Sequence, residues 1–226
     1  MKNIIPNAVT TLNLVFGMFA IMNSIQGAYT VSALFIIAAM VADAADGRTA
    51  RYFGVSSEFG KELDSLCDLV SFGAAPALLT YVYYLQEFGV LGQLVAVFFA
   101  VCGALRLARF NVNTGVVKGY FMGLPIPAAG CAVATFVMMG LKPEGYWVPL
   151  FVIVFGYLMV SRVKYPDFKG QGEKIRLIPA GIAIVIGCFI LITYQNALLF
   201  APFFAYAIFG ILNTLFGMLG YKSAIS

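Results

Sequence analysis

Apolar runs as long as a bilayer is thick recur along this whole chain, and no other feature constrains its fold as much. A helix needs about 20 predominantly apolar residues to cross a hydrocarbon core of ~30 Å. Eight runs of roughly that length follow one another, at 8–26, 29–50, 61–86, 90–112, 123–141, 146–162, 177–195 and 197–217. Breaks fall at Gln26–Ala28, Gly54–Ser56, Gln86–Glu87, Asn113–Gly119, Lys142–Glu144, Tyr165–Lys174 and Gln195–Asn196. With 62% hydrophobic and 11% charged residues, the composition is that of a membrane protein. In lipid every backbone N–H and C=O must be paired within the protein, so such runs become helices. The expected fold is all-α, a polytopic integral membrane bundle of about eight transmembrane helices. It forms one domain over residues 1–226, ending in the spans at 177–217.

The basic residues orient this bundle. With eight spans, Lys2, Arg48, Arg51, Lys61, Arg106, Arg109, Lys118, Arg162, Lys164, Lys169, Lys174, Arg176 and Lys222 fall on one side, and Lys142 alone on the other. The excess of Lys and Arg on cytoplasmic loops places the first side in the cytoplasm, with both termini. No small-residue cleavage site follows a short apolar region after Met1–Pro6, so the first span is expected to stay in the protein. The basic stretch 162–176 reads as a solvated anchoring loop, with a lid as the alternative.

Against this background the segment from Asp43 to Asp68 stands apart. Only ten acidic residues occur in the chain, and Asp43, Asp46, Asp64 and Asp68 are four of them. Carboxylates at membrane depth cost several kcal/mol each unless something positive neutralises them. Asp43 and Asp46 lie three apart at the end of the second span, and Asp64 and Asp68 four apart at the start of the third. Each pair therefore shares a helix face. A short turn makes the two helices antiparallel neighbours, so the faces can converge. All-oxygen ligation by carboxylates suits a hard divalent ion, Mg²⁺ or Mn²⁺. Four carboxylates are more charge than one ion needs; two ions sharing an aspartate would use them all and drive phosphoryl transfer on a di- or triphosphate substrate. Arg51, about one turn beyond Gly47, can offer a fork to phosphate. Gly47 and Gly60 leave the helix surfaces bare where a bulky group has to lie.

Other chemistries are excluded or disfavoured. The chain has no histidine, which removes a Ser-His-Asp triad, a histidine base and histidine-ligated zinc. Cys67, Cys102, Cys131 and Cys188 stand singly in apolar segments and read as small buried hydrophobes, not as a disulfide framework. A cation-coupled transporter is the alternative from another class. Many transporters repeat their architecture in two halves, whereas nothing in the second half here echoes the aspartate segment. An arginine within the cluster is also unsuited to a cation path.

The pattern D-x2-D-G-x2-A-R-x8-G-x3-D-x3-D is met at Asp43, Asp46, Gly47, Ala50, Arg51, Gly60, Asp64 and Asp68. It resembles the signature of the CDP-alcohol phosphotransferase family. The resemblance implies integral membrane homodimers that use two divalent metals and displace CMP from a CDP-linked lipid or alcohol. It implies that Asp43, Asp46, Asp64 and Asp68 ligate metal, that Asp68 also accepts the proton, and that Gly47, Ala50, Arg51 and Gly60 frame the cytidine diphosphate. The segments Pro6–Leu14, with Asn13, Leu105–Asn111 and Gly123–Ala128 are similar to the serine-using branch, as is the count of eight spans. That branch implies a CDP-diacylglycerol-type lipid and L-serine as substrates, and no nucleic acid. Arg106 and Arg109, three apart on one helix face, with Asn111 beyond, are the expected grip on an amino acid's carboxylate. Glycerol 3-phosphate, inositol or inositol phosphate as acceptor is the alternative within the family.

Overall fold

The computed structural model describes residues 4–53, 57–113, 120–166 and 176–219, with side chains over 7–48, 57–112, 121–165 and 176–219. The expected all-α membrane bundle is what forms. Its helices are α1 (Ile4–Ile25), α2 (Tyr29–Phe53), α3 (Glu58–Asp68), α4 (Ala75–Tyr83), α5 (Val90–Asn113), α6 (Ile126–Met138), α7 (Trp147–Val160), α8 (Leu177–Thr193) and α9 (Phe200–Met218). A widened π turn, Leu69–Ala74, joins α3 to α4, so 58–83 is one continuous rod and the eight expected spans are eight rods. Five rods are long and apolar enough to cross a membrane; α6, α7 and α8 are shorter apolar helices. Large apolar side chains such as Leu94, Val97 and Val101 of α5 and Ile184, Val185 and Phe189 of α8 are exposed, as a lipid-facing surface requires.

The shortest rod is the most enclosed. At 13 residues α6 spans about 20 Å, less than the hydrocarbon core, yet nine of its residues from Ile126 to Val137 are buried. It packs against α2, α4, α9 and the π turn, so its neighbours face the lipid in its place. The π turn is clamped between two helices that approach through glycines. A Cβ on Gly17 of α1 would meet Ser71 Oγ at 2.3 Å, and one on Gly130 of α6 would meet Phe72 O at 2.7 Å. Pro76, just beyond, brings no N–H to an α-helical ladder, which favours a wider turn here.

Two short strands add to the helical fold. β1 (Tyr120–Met122) pairs antiparallel with β2 (Lys164–Pro166), Phe121 opposite Tyr165. This ribbon ties the segment between α5 and α6 to the segment between α7 and α8. Tyr165 is wholly buried, donates its hydroxyl to Ala207 O at 3.2 Å, and seats its ring over Gly210 of α9. Lys164 N further donates to Thr214 Oγ1 at 3.0 Å, and Arg176 Nη1 to Asn213 O at 2.8 Å. The α8–α9 pair is thereby fixed to the rest of the bundle. Most of the basic 162–176 stretch, from 167 to 175, lies outside the described residues, as do Lys2, Lys118 and Lys222.

Candidate active site

Three helices build the aspartate cluster and its polar surround. Ser57 caps α3, its Oγ accepting from Gly60 N at 3.0 Å, which starts the helix at the register that carries Asp64 and Asp68 inward. The end of α2 brings Asp43 and Asp46 alongside, and α1 contributes polar residues from an otherwise apolar span. Asp43, Asp64 and Asp68 each offer an oxygen, and these oxygens lie within 4.8 Å of one another. Asp46 is buried beside them, near enough to Asp43 and Asp64 for their charges to repel. The two helix faces thus bring Asp43, Asp64 and Asp68 together, with Asp46 beside them rather than within the group.

The polar atoms around the cluster are incompletely paired. Asn13 Nδ2 donates to Asp68 Oδ1 at 3.0 Å, and Ser71 Oγ, in the π turn, donates to Asn13 O at 3.0 Å. The Thr10 hydroxyl and the Gly47 N–H serve Asp46. Among the described residues Asp46 Oδ2, Asp64 Oδ1 and Asn13 Oδ1 are buried with no hydrogen-bond partner. A buried unpaired carboxylate oxygen costs several kcal/mol in isolation. Among the described residues the cation facing Asp43 and Asp68 is Arg106, one guanidinium against four carboxylates. That surplus of hard oxygen donors, two of them without partners, fits divalent metal of the Mg²⁺ or Mn²⁺ kind.

The two glycines of the pattern sit in different surroundings. A Cβ on Gly47 would meet nothing within 4 Å among the described residues. At Gly60 the same Cβ would crowd Ser57 Oγ at 3.1 Å and Asn7 Oδ1 at 3.3 Å. Ala50 and Arg51 lie in α2, and their side chains are outside the described residues.

Arg106, Arg109 and Asn111, expected together, take three different places. Arg106 is buried, rests 5.2 Å above the Phe110 ring centroid, and faces the carboxylates. Arg109 turns to the end of α7 and bonds backbone carbonyls there. Asn111 Nδ2 donates to Ser65 Oγ at 3.0 Å, and Lys61 Nζ donates to Asn111 O at 3.2 Å, which joins the end of α5 to the start of α3. Two further residues belong to the site. Asn13 carried a visible signal, an amide in an apolar run, but its partner 55 residues away is a property of the fold. Tyr206 of α9 faces Arg106 and packs on Tyr165 with ring centroids 5.3 Å apart. As one of twelve tyrosines in an aromatic-rich chain it gave no signal.

A sequence model of the CDP-alcohol phosphatidyltransferase family matches residues 3–161. Three curated relatives show how far the likeness runs. A CDP-diacylglycerol–serine O-phosphatidyltransferase of Helicobacter pylori (strain J99) is 36% identical over 222 residues, covering 94% of this chain and 92% of that protein. One of the same name from Bacillus subtilis (strain 168) is 36% identical over 172 residues, 76% of this chain and 95% of that protein. An archaetidylserine synthase of Methanothermobacter thermautotrophicus is 37% identical over 172 residues, 75% of this chain and 72% of that protein.

Proposed function

Because the chain belongs to the CDP-alcohol phosphatidyltransferase family, we propose that it transfers a phosphatidyl group from a CDP-diacylglycerol-type lipid to the hydroxyl of L-serine, releasing CMP. The observation that carries this reading is the convergence of Asp43, Asp64 and Asp68 within 4.8 Å, faced by the buried guanidinium of Arg106. The names of the relatives, two for serine O-phosphatidyl transfer and one for archaetidylserine, support serine as acceptor.

Asp43, Asp46, Asp64 and Asp68 would hold two divalent cations, Mg²⁺ or Mn²⁺. Such ions, when bound, neutralise a pyrophosphate and polarise the phosphorus under attack. The rest falls to the chain's own residues. Arg106 offers its planar fork to the carboxylate of serine, which brings the hydroxyl of the same molecule toward Asp68. Asn13 occupies Asp68 Oδ1 and so leaves Oδ2 to receive the hydroxyl proton. As the serine oxygen bonds to the lipid-side phosphorus, the bond from that phosphorus to the CMP oxygen breaks, and CMP leaves with the electron pair. The cytidine diphosphate would lie over Gly47, framed by Gly47, Ala50, Arg51 and Gly60; that a Cβ on Gly47 would meet nothing within 4 Å among the described residues supports this. No histidine is present to form a phosphoryl-enzyme, in keeping with direct displacement.

In this reading residues 1–226 form one catalytic unit, with its site on the cytoplasmic side and both termini there. The clustering of Lys and Arg supports that orientation. The family resemblance supports a homodimer, which the mass of the detergent-solubilised protein tests. The function is tested with purified protein, CDP-diacylglycerol and Mg²⁺ or Mn²⁺, following CMP release with L-serine, glycerol 3-phosphate, inositol and inositol 1-phosphate. L-serine should give the highest kcat/KM. Preference for a phosphorylated alcohol would overturn the acceptor, and no CMP release with any acceptor would overturn the transfer.

A further inference from the structure

The two arginines of α5 look equivalent in sequence, three residues apart on one helix face, yet their surroundings divide their work. Arg109 Nη1 donates to Val160 O at 2.9 Å, and Nη2 donates to Met122 O at 2.8 Å, Met159 O at 3.2 Å and Ser161 O at 3.2 Å. Met159 and Val160 close α7, where the last carbonyls have no partner within their own helix. A guanidinium there satisfies them and complements the negative end of the helix dipole. Met122 ends β1, so one side chain on α5 gathers α7 and the strand ribbon.

The surrounding backbone is built for this knot. Gly123 N donates to Val163 O at 2.8 Å, and Leu124 N donates to Leu158 O at 3.0 Å, across the same junction. Gly123 has φ +82, and a Cβ on it would meet Met159 O at 2.2 Å and Arg109 Nη2 at 2.8 Å. Only glycine permits both the turn and the close approach. Arg106 makes none of these carbonyl contacts. It sits one turn back on α5, buried over Phe110, facing Asp68 and Asp43.

We infer that Arg109 is a positioning residue: it locks the end of α5 to α7 and β1, and thereby sets where Arg106 presents its fork to the acceptor. The inference rests on the proposed function for what Arg106 binds. An arginine whose two terminal nitrogens already serve four carbonyls is poorly placed to hold a small carboxylate. It is well placed to fix a helix end that has to stay in register with the aspartates across the site.

The full-length protein in detergent tests this with Arg106→Lys, Arg109→Lys, the double variant and Gly123→Ala, which invades the same knot without changing any charge. Arg109→Lys and Gly123→Ala should each lower Tm without substrate and raise the KM for L-serine about tenfold, leaving the KM for CDP-diacylglycerol within twofold. Arg106→Lys should raise the serine KM at unchanged Tm. The double variant should show no higher serine KM than Arg106→Lys alone, because Arg109 acts through Arg106. A raised serine KM in Arg109→Lys at wild-type Tm would mean direct contact with the acceptor and overturn the inference, as would a wild-type KM. If Gly123→Ala gives no folded protein, the Tm of Arg109→Lys and the double variant decide. Should the wild type ignore serine, the proposed acceptor falls, while the Tm arm still tests the knot.

Discussion

The two ends of this bundle treat polar groups in opposite ways. At the end away from the aspartates, Ser24 Oγ and Ser32 Oγ lie 2.8 Å apart, and both donate to Ala20 O, at 2.9 and 2.8 Å. Nearby, Tyr84 donates its hydroxyl to Pro143 O and Gly145 O, and Lys142 rests 4.9 Å above the Tyr83 ring. At the aspartate end, Asp46 Oδ2, Asp64 Oδ1 and Asn13 Oδ1 are buried and have no partner among the described residues. The same apolar scaffold carries both. One end uses these polar atoms to join helices, and the other, beside helix-joining bonds of its own at Asn111 and Arg109, keeps three oxygens without a partner among the described residues. Buried polar atoms are paired almost everywhere in native proteins, and of the four exceptions among the described residues three lie at the aspartate cluster, the fourth being Asn213 Nδ2 on α9.

The largest expected effect breaks this comparison outright if it fails to appear. Asp64→Asn removes a carboxylate from the cluster, and losing several kcal/mol of transition-state stabilisation lowers turnover on the order of 10³-fold or more. Removing one of four clustered carboxylates that repel one another should leave Tm unchanged or slightly raised. EDTA should likewise abolish CMP release, and Mg²⁺ or Mn²⁺ should restore it. Near wild-type turnover of Asp64→Asn at saturating metal would show that the unpaired oxygens serve no catalytic purpose.

Next in size is Arg106→Lys, which keeps the charge and loses the fork. A charge-assisted hydrogen bond of about 1.5–3 kcal/mol corresponds to roughly 10- to 100-fold in kcat/KM for serine. Titrating serine at saturating CDP-lipid measures it, and an equal loss toward both substrates would place Arg106 outside the acceptor pocket. Asn13→Leu sharpens the picture one shell further out. With its amide gone, Asp68 loses the donor that orients it, and kcat should fall by about tenfold or more with the KM for CDP-lipid unchanged. A kcat equal to wild type would show that Asp68 needs no orienting partner.

The smallest effect belongs to the satisfied end. Ser24→Ala should cost about 0.6 kcal/mol of stability, typical of a hydrogen bond between membrane helices, and leave turnover within twofold. Thermal denaturation beside CMP release checks both. A large loss of turnover there would mean that the two ends are coupled and the contrast between them is not one of function against stability.

The order of the helices and their approximate number were legible from hydrophobic run length alone, because lipid leaves the backbone no alternative to the helix. The signature at Asp43–Asp68 was equally legible, since four carboxylates in so apolar a chain contradict everything around them. Residue spacing also placed each aspartate pair on one helix face, a local property of 3.6 residues per turn. Tertiary structure decided the rest. It brought Asn13 to Asp68 across 55 residues, set a π turn against α1 and α6 just beyond Asp68, and delivered Tyr206 from the far end of the chain. It also separated Arg106 from Arg109, which spacing made look alike. The physical reason is one of range: hydropathy and helical period act over neighbouring residues and appear in the string, whereas a side chain's partner depends on which helices pack together.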